Sequence, residues 1–197
     1  MFLELAEYLK CPTDHAEEPL IVATGAMKGR SIVFGTIGCP VCHAEFVIVN
    51  RIAQFDGPAR AAPPPADRLP ETDAVHALLG LASPGGYVVL LGSAARLADG
   101  LAQQLEGVHF IGVCAPDDVE AGAHLSLLSC TTKIPLRSAM ARGVVVGAER
   151  AEPEWLAEAV RVVLPGQRVV VLRDDVSVDG VERLAAGQGM WVGKRTG

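Results

Sequence analysis

The run Tyr87-Val88-Val89-Leu90-Leu91 predicts a strand in the interior of a sheet. Its aliphatic residues follow one another without a polar residue between them, as in a parallel strand covered on both faces. Gly92 then predicts a tight turn, and leucines recur every four residues at 97, 101 and 105, which is one face of a helix. In doubly wound proteins, a strand, turn and helix in this order lie where a nucleotide-like cofactor binds.

The rest of the C-terminal part continues the alternation of strands and helices. Further strands are predicted at 108–113, 125–128, 143–146, 168–172 and 190–193. Helices are predicted at 73–81, around 97–105, at 153–163 and at 181–186. Strands that alternate with helices imply a parallel sheet with right-handed crossovers. The predicted fold class is therefore α/β with a Rossmann-like sheet.

Three of the five cysteines lie near the N-terminus and indicate a metal site. Cys39 and Cys42 form a CxxC knuckle, in which a tight turn aims two thiolates at one point. Cys11 begins a second half-site, but Asp14 occupies the position of its second thiolate and His15 follows. Cysteines of this kind suit a reduced compartment better than a disulfide framework.

A closed structural zinc site needs four ligands, and nitrogen or oxygen can replace sulfur. We predict Cys11, His15, Cys39 and Cys42 as the ligands, because histidine is the more common partner of three thiolates. Asp14 is the reserve candidate and His43 a weaker one. The alternative is a module that folds without metal and simply buries some of its cysteines. If zinc is present, its role is structural, because so small a module has little core of its own.

The chain divides into three predicted regions. Residues 1–56 contain predicted strands at 20–22, 31–34 and 46–49 between and after the two half-sites, which together indicate a small β-rich zinc ribbon. Residues 57–70 contain five prolines and are predicted to be an extended spacer. Residues 71–197 form the predicted α/β domain.

The first region resembles a family of small zinc ribbons. Leu9-Lys10-Cys11-Pro12 and residues 39–52 are similar to its pattern L-x-CP-x-C, then C-x-x-C-x-x-x-[FY]-P-I-x-D-G-I-P. That family includes the subunit that activates certain transfer-RNA and release-factor methyltransferases, and ribbons fused before methyltransferase domains. Asp14 replaces a family cysteine, and Asn50-Arg51 replaces Asp-Gly. The resemblance implies bound zinc and a methyltransferase as a neighbour or partner.

The third region resembles the class I S-adenosylmethionine-dependent methyltransferases. Residues 156–171 are similar to the family segment LxExxRVLKPGGRLVV, and Ile134-Pro135-Leu136 before 144–146 resembles LPF…FDxVV. Residues 87–96 lie where the family has VLDLGCGTG. The resemblance implies a Rossmann-like sheet of that family and a pocket for S-adenosylmethionine. Its lining residues would be Gly92, Ser93, Ala94, Arg96, Cys114 and Cys130.

The departures from the family pattern concern the cofactor. Leu90 replaces an acid, and Ala94 and Arg96 replace two glycines that let the backbone approach the cofactor. Cys114 stands where the ribose-binding acid would be, and Cys130 at or near the acid of the adenine region. A lost carboxylate removes bonds of about 1.5–3 kcal/mol, roughly ten- to hundred-fold in affinity. We also expect the family's final antiparallel hairpin to be missing. These departures predict a pseudoenzyme that no longer binds S-adenosylmethionine in the usual way and has no catalytic residues.

Some of these residues keep alternative interpretations. Cys114 and Cys130 follow neighbouring strands and could act as a ligand or redox pair, although two buried thiols are the simpler interpretation. Arg96 could bind an anionic ligand or be a surface helix residue. Asp117 and Asp118 are expected in a solvated loop. No histidine has an evident partner for a catalytic triad.

Charge and hydropathy narrow the function classes. The net charge of −6 without a basic block disfavours direct nucleic-acid binding. No apolar run reaches the ~18 residues of a membrane span, and the first residues carry acids where a signal peptide carries bases. We therefore expect a cytoplasmic, soluble protein.

The predicted function is non-catalytic association with a protein partner, an active methyltransferase or a second copy of the chain. The alternative is an active methyltransferase that uses backbone groups and Arg96, and a third is a pocket for a different small anion.

Overall fold

The computed structural model describes residues 1–55 and 69–197, so the predicted spacer lies outside the described residues except for Leu69 and Pro70. The first region contains a 3₁₀ helix, Leu3–Tyr8, and strands β1 (Ile21–Lys28), β2 (Ser31–Gly38), β3 (Glu45–Val49) and β4 (Ile52–Gln54). The later region contains helices α1 (Thr72–Leu79), α2 (Ala98–Gln104) and α3 (Pro153–Val162). Its strands are β5 (Tyr87–Leu91), β6 (His109–Val113), β7 (Leu125–Ser129), β8 (Ala141–Val146), β9 (Val163–Val171), β10 (Val181–Gly187) and β11 (Met190–Arg195). Within these residues no helix is long and apolar enough to cross a membrane.

The described strands form one sheet in the order β1-β2-β3-β4-β7-β6-β5-β8-β9-β11-β10. Its central strands β7-β6-β5-β8-β9 are all parallel, and their order is the 3-2-1-4-5 of a doubly wound fold. The predicted central strand Tyr87–Leu91 is β5, in the middle of this part. The predicted α/β class with a Rossmann-like sheet is confirmed.

The end of the chain corrects two sequence predictions. Residues 181–186, predicted as a helix, belong to β10, which pairs antiparallel with β11, and β11 pairs antiparallel with β9. The terminal antiparallel hairpin that we expected to be missing is therefore present. Its turn explains the error, because Gln188 and Gly189 both have positive φ, as the two-residue hairpin turn requires. That turn favours a hairpin over the short helical pattern of residues 181–186.

Strand β4, which the sequence analysis did not predict, joins the N-terminal region to the rest of the sheet. It pairs parallel with β7 through Ile52↔Leu127, Ala53↔Leu128 and Gln54↔Ser129. The antiparallel strands β1 to β4 therefore extend the same sheet beyond β7, at the edge of its parallel part. The N-terminal region and the α/β region share one continuous backbone hydrogen-bond network.

The two faces of the sheet are covered by different parts of the chain. Helices α1 and α2 pack on one face, over Val88 and Leu90 of β5. Helix α3 and the 3₁₀ helix Leu3–Tyr8 contribute to the core on the other face, which contains Val89 and Leu91. The connections 114–124 and 130–140, both fully described, contain no helix. The N-terminal region thus covers sheet area that crossover helices cover in a doubly wound fold.

A buried polar contact fixes the start of the chain to the sheet. The backbone N–H of Phe2 donates to Ser126 Oγ at 2.8 Å, and the same hydroxyl lies 2.9 Å from Nε2 of His109. The ring of Phe2 stacks on His109 with centroids 4.4 Å apart. Burial lowers the pKa of His109 to about 4, so this imidazole is neutral near pH 7. Ser126 therefore satisfies a backbone donor from a residue far away in the sequence.

The shared core predicts that the N-terminal region and the α/β region unfold together. Leu5 is fully buried in that core, so Leu5→Ala is expected to lower the free energy of unfolding by about 2–5 kcal/mol. Both tryptophans, Trp155 and Trp191, lie in the α/β region, and their fluorescence in a urea titration should report this loss.

Leu3→Ala is the matched control, because Leu3 lies on the same 3₁₀ helix but is 40% exposed. It should change the free energy of unfolding by no more than about 0.5 kcal/mol. A tryptophan transition that Leu5→Ala leaves unmoved would show that the two regions unfold independently.

Candidate functional site

The structure brings the four predicted zinc ligands together at one point. The ligand atoms of Cys11, His15, Cys39 and Cys42 all lie within 4.8 Å of one another. Cys11 Sγ is 3.7 Å from Cys42 Sγ, and Cys39 Sγ is 3.3 Å from His15 Nε2. Cys11 and Cys39 are buried, His15 is half-buried and Cys42 is exposed, so the cluster lies at the margin of the core.

These separations fit a tetrahedral zinc ion. With Zn–S bonds of about 2.3 Å and Zn–N bonds of about 2.0 Å, two sulfurs are expected roughly 3.8 Å apart and a sulfur and a nitrogen roughly 3.5 Å apart. The observed distances of 3.7 and 3.3 Å are close to these values. Three thiols and one imidazole are also a ligand set that zinc prefers. The cluster could therefore hold zinc, and it would do so with four protein ligands.

Local hydrogen bonds prepare two of these groups for metal binding. Nδ1 of His15 lies 2.6 Å from the carbonyl oxygen of Ala16, which favours a proton on Nδ1 and leaves Nε2 toward the cysteines. This contact raises the pKa of His15. The backbone N–H of Ala44 is the main cause that lowers the pKa of the Cys42 thiol to about 6. Cys42 therefore supplies a thiolate near neutral pH, which is the form that binds metal.

The two reserve candidates lie outside the cluster. The carboxylate of Asp14 is 2.7 Å from Nζ of Lys133, and its side chain is 95% exposed. This ion pair lowers the pKa of Asp14. His43 sits in the knuckle with a left-handed φ of 59°, and its backbone N–H donates to the Cys39 carbonyl at 3.0 Å. His43 also lines a groove of about 350 Å³ together with Ile21 and Thr36. The ion pair of Asp14 with Lys133 thus connects the half-site that begins at Cys11 to the β7–β8 connection.

The second candidate site is the Gly92 turn after β5, where the resemblance places the cofactor. Gly92 has a left-handed φ of 65°, as predicted for a tight turn. The next residue, Ser93, donates its backbone N–H to Oε1 of Glu149 at 2.5 Å and its hydroxyl to Oε2 at 2.7 Å. Glu149 follows β8, the strand beside β5. A carboxylate of the chain itself therefore binds the donors of this turn.

Two glycines make room for that carboxylate. A Cβ at Gly92 would overlap Oε1 of Glu149, and a Cβ at Gly147 would lie 2.7 Å from the same oxygen. Gly92 and Gly147 end neighbouring strands, so their bare backbones form a cradle around the side chain. We call Gly92, Ser93, Gly147 and Glu149 the carboxylate cradle.

The residues around the Gly92 turn are buried. Ser93 is 2% exposed and Ala94 is fully buried.

Arg96, predicted at the pocket mouth, makes three hydrogen bonds of 2.9 to 3.2 Å to the carboxylate of Asp118. This guanidinium lowers the pKa of Asp118. The loop expected to be merely solvated therefore supplies a partner for Arg96.

Cys114 and Cys130 lie side by side, as their positions after neighbouring strands predict. Their sulfurs are 3.4 Å apart, and Cys114 Sγ donates to the Cys130 carbonyl oxygen at 2.7 Å. Cys114 has a left-handed φ of 51°, which is uncommon for a residue other than glycine, asparagine or aspartate. The Cys114 thiol, which stands where the resemblance expects a ribose-binding acid, therefore donates to the backbone just after β7.

Sequence reasoning missed Glu149. The signal that could have found it is the glycine at the end of each of two neighbouring predicted strands, with an acid two residues after the second one. Sequence reasoning also missed the contact between His109 and Ser126, because it depends on the pairing of β6 with β7 and on the position of Phe2.

No protein-family model matches the chain, and no curated protein matches it. Among solved structures, a chain of the complex between the Haloferax volcanii Trm112 methyltransferase activator and a putative methyltransferase is 20% identical, with a TM-score of 0.42 over 51% of this chain and 50% of that one. The [4+2]-cyclase SpnF is 14% identical, with a TM-score of 0.47 over 58% and 57%. The antibiotic-resistance methyltransferase Kmr is 13% identical, with a TM-score of 0.44 over 67% and 96%. The chain spans only about half the length of the first two. At these values the similarity is one of fold and carries no argument about activity.

The geometry of the cysteine cluster predicts which substitutions remove zinc. His15→Ala and Cys39→Ser are expected to lower the zinc content well below the wild-type level of about one ion per chain, because each removes one of four ligands. Zinc in purified, dialysed protein is measured by plasma mass spectrometry.

Asp14→Asn and His43→Ala are the controls and should keep the wild-type zinc content, because neither side chain belongs to the cluster. Loss of zinc in Asp14→Asn together with its retention in His15→Ala would assign the fourth ligand to Asp14 instead.

The carboxylate cradle predicts a stability effect. Glu149→Ala is expected to lower the free energy of unfolding by about 1–3 kcal/mol, because the buried N–H and hydroxyl of Ser93 lose their acceptor. Glu152→Ala is the control, since Glu152 is exposed and its side chain makes no capping bond to α3. Equal stability of the two variants in urea titrations would show that the carboxylate does not hold the turn.

Proposed function

We propose that this chain is a non-catalytic, zinc-stabilised protein with a pseudo-methyltransferase domain, and that it acts by associating with another protein. The partner would be an active methyltransferase or a second copy of the chain. The observation that carries the proposal is the carboxylate cradle, in which Glu149 binds the turn donors beside the expected cofactor position.

The cradle supports loss of the cofactor in two ways. Glu149 binds both donors of Ser93, and its negative charge stands where a methyltransferase of this fold would bring the backbone close to S-adenosylmethionine. A ligand at this turn would have to displace a carboxylate that makes two hydrogen bonds, one of them to a buried N–H. Such charge-assisted bonds contribute about 1.5–3 kcal/mol each, so their loss would weaken any binding substantially.

The positions of the missing acids support the same proposal. Cys114 replaces the ribose-binding acid of the resemblance and engages the Cys130 carbonyl, and Cys130 stands near the expected adenine contact. The guanidinium of Arg96 already donates hydrogen bonds to the carboxylate of Asp118. The groups that would have to bind the cofactor are therefore either replaced or already engaged within the chain.

The zinc would serve stability in this proposal. Four protein ligands leave no open coordination position for a substrate or water, which is the arrangement of structural zinc sites. Two of the ligands, Cys11 and Cys39, belong to the core that covers the sheet. Bound zinc would connect the segment after the 3₁₀ helix to the knuckle between β2 and β3, and so stabilise that core.

The resemblance of residues 9–12 and 39–52 to ribbon subunits that activate methyltransferases supports a role in association. In this chain the N-terminal region already contacts a methyltransferase-like sheet through β4 and β7. A further partner would therefore have to bind elsewhere on the molecule.

Isothermal titration of zinc-loaded protein with S-adenosylmethionine and S-adenosylhomocysteine tests the proposal. We expect no saturable binding below about 1 mM, because the turn donors are occupied and the ribose-binding acid is absent. Zinc content and a cooperative urea transition establish that the sample is folded.

Micromolar binding of either compound would overturn the proposal and favour an active methyltransferase, for which a search for acceptors would follow. Titration of Glu149→Ala gives a second result. We expect this variant not to bind either, since the acids are still missing. Binding by the variant alone would show that Glu149 by itself excludes the cofactor and that the missing acids are not needed for binding.

A further inference from the structure

Strand β1 is an open edge of the sheet. Within residues 1–55 and 69–197, β1 pairs only with β2, and seven of its eight residues are exposed. An exposed edge strand presents unpaired backbone N–H and C=O groups, which bind another extended strand. Since β1 is as long as β2, it can offer a full strand of such groups.

Both edge strands contain a register shift, which is one of the devices that protect an edge, but β1 carries less charge than β10. The first seven residues of β1, 21–27, contain no charge and no proline, and Lys28 is its only charged residue. The opposite edge strand, β10, carries Glu182 and Arg183, both exposed. Charged side chains on an edge strand oppose pairing with another chain. Of the two edges, β1 is therefore the one suited to receive a partner.

An apolar surface reaches this edge from the neighbouring strands. Ile21, Phe34 and Val47 are 64%, 46% and 46% exposed. Ile21 pairs with Gly38, and Thr36 pairs with Val47. Since alternate residues of β2 share one face, as Phe34, Thr36 and Gly38 do, the three exposed residues lie on the same face. A strand added to β1 would extend this face and cover Ile21.

The charges at the two ends of β1 favour pairing with a second copy of the chain. Glu17 and Glu18 precede the strand, and Lys28 and Arg30 are at or just after its end. Glu17 is 3.3 Å from Lys10, and Arg30 is paired with Glu4, whereas Glu18 and Lys28 have no ion pair among the described residues. Antiparallel pairing of two identical strands places the acidic end of each against the basic end of the other. Parallel pairing would place like charges together, which is unfavourable.

We propose that β1 pairs antiparallel with β1 of a second copy, so that two sheets join across a two-fold axis and Glu18 of each copy faces Lys28 of the other. This inference rests on the proposed function, because it supplies the surface through which the protein associates. The same patch serves both copies, as in other two-fold interfaces. Ala23 is midway along the chain between Glu18 and Lys28 and precedes the register shift after Thr24, so it would lie near the axis.

Sedimentation equilibrium of the full, zinc-loaded chain tests the proposal. We expect a dimer for the wild type and, for Ala23→Lys, a dissociation constant raised by about tenfold or more, because two lysines would meet at the axis. Ala185→Lys places the same charge on exposed strand β10 and should leave the dimer unchanged.

Charge reversal tests the direction of pairing. Glu18→Lys and Lys28→Glu should each raise the dissociation constant about three- to tenfold, because symmetry turns two attractive contacts into two repulsive ones. The double variant carrying both changes should return to the wild-type value. Restoration by the double variant requires the two positions to face each other across the interface.

A monomer at about 100 µM, or a dimer that Ala23→Lys leaves intact, would overturn the proposal. A β1 edge that binds an unrelated protein and not a second copy would give the monomer result. These failures differ from failure of the proposed function, which is overturned by micromolar binding of S-adenosylmethionine whatever the oligomeric state. A monomer that binds no cofactor would remove the β1 interface and leave the pseudoenzyme proposal in place.

Discussion

The parallel pairing of β4 with β7 joins the N-terminal strands to the α/β part of the sheet. It is only three residues long on the β4 side, yet it aligns four N-terminal strands with a sheet of seven. With that register fixed, the 3₁₀ helix lies over β5, β6 and β7, and Phe2 reaches Ser126. The missing crossover helices leave room for this arrangement. A segment that would otherwise be a small separate module thereby becomes one wall of a larger core.

The two polar centres act on different parts of this arrangement. The cysteine cluster lies on the N-terminal side, where Cys11 and Cys39 belong to the core. The carboxylate cradle holds the carboxyl ends of β5 and β8, where doubly wound proteins bind their ligands. In an enzyme the donors at such a turn stay available for the cofactor. Under the proposed function, Glu149 uses them in place of a cofactor.

Patterns that depend on neighbouring residues could be predicted from the sequence. The apolar run of β5, the knuckle at Cys39 and Cys42 and the helix α3 all follow local rules, and the structure has each of them. The features that were missed depend on distant partners. Three residues are too few for β4 to be recognised as a strand without its partner β7. The role of Glu149 can be recognised only when the fold brings its carboxylate against Gly92. The hairpin of β10 and β11 was misread because its residues resemble a short helix, and only the turn at Gln188 and Gly189 indicates otherwise.

The distance along the chain between Phe2 and Ser126 has a consequence for biosynthesis. The two partners are 124 residues apart, so the start of the chain leaves the ribosome long before the strand that will hold it. At a translation rate of about 5–20 residues per second, the wait is on the order of ten seconds. During that time Leu5 and Leu9, buried in the finished core, have no sheet to cover them. The apolar side chains of this segment therefore stay without their final neighbours until β5, β6 and β7 have been synthesised.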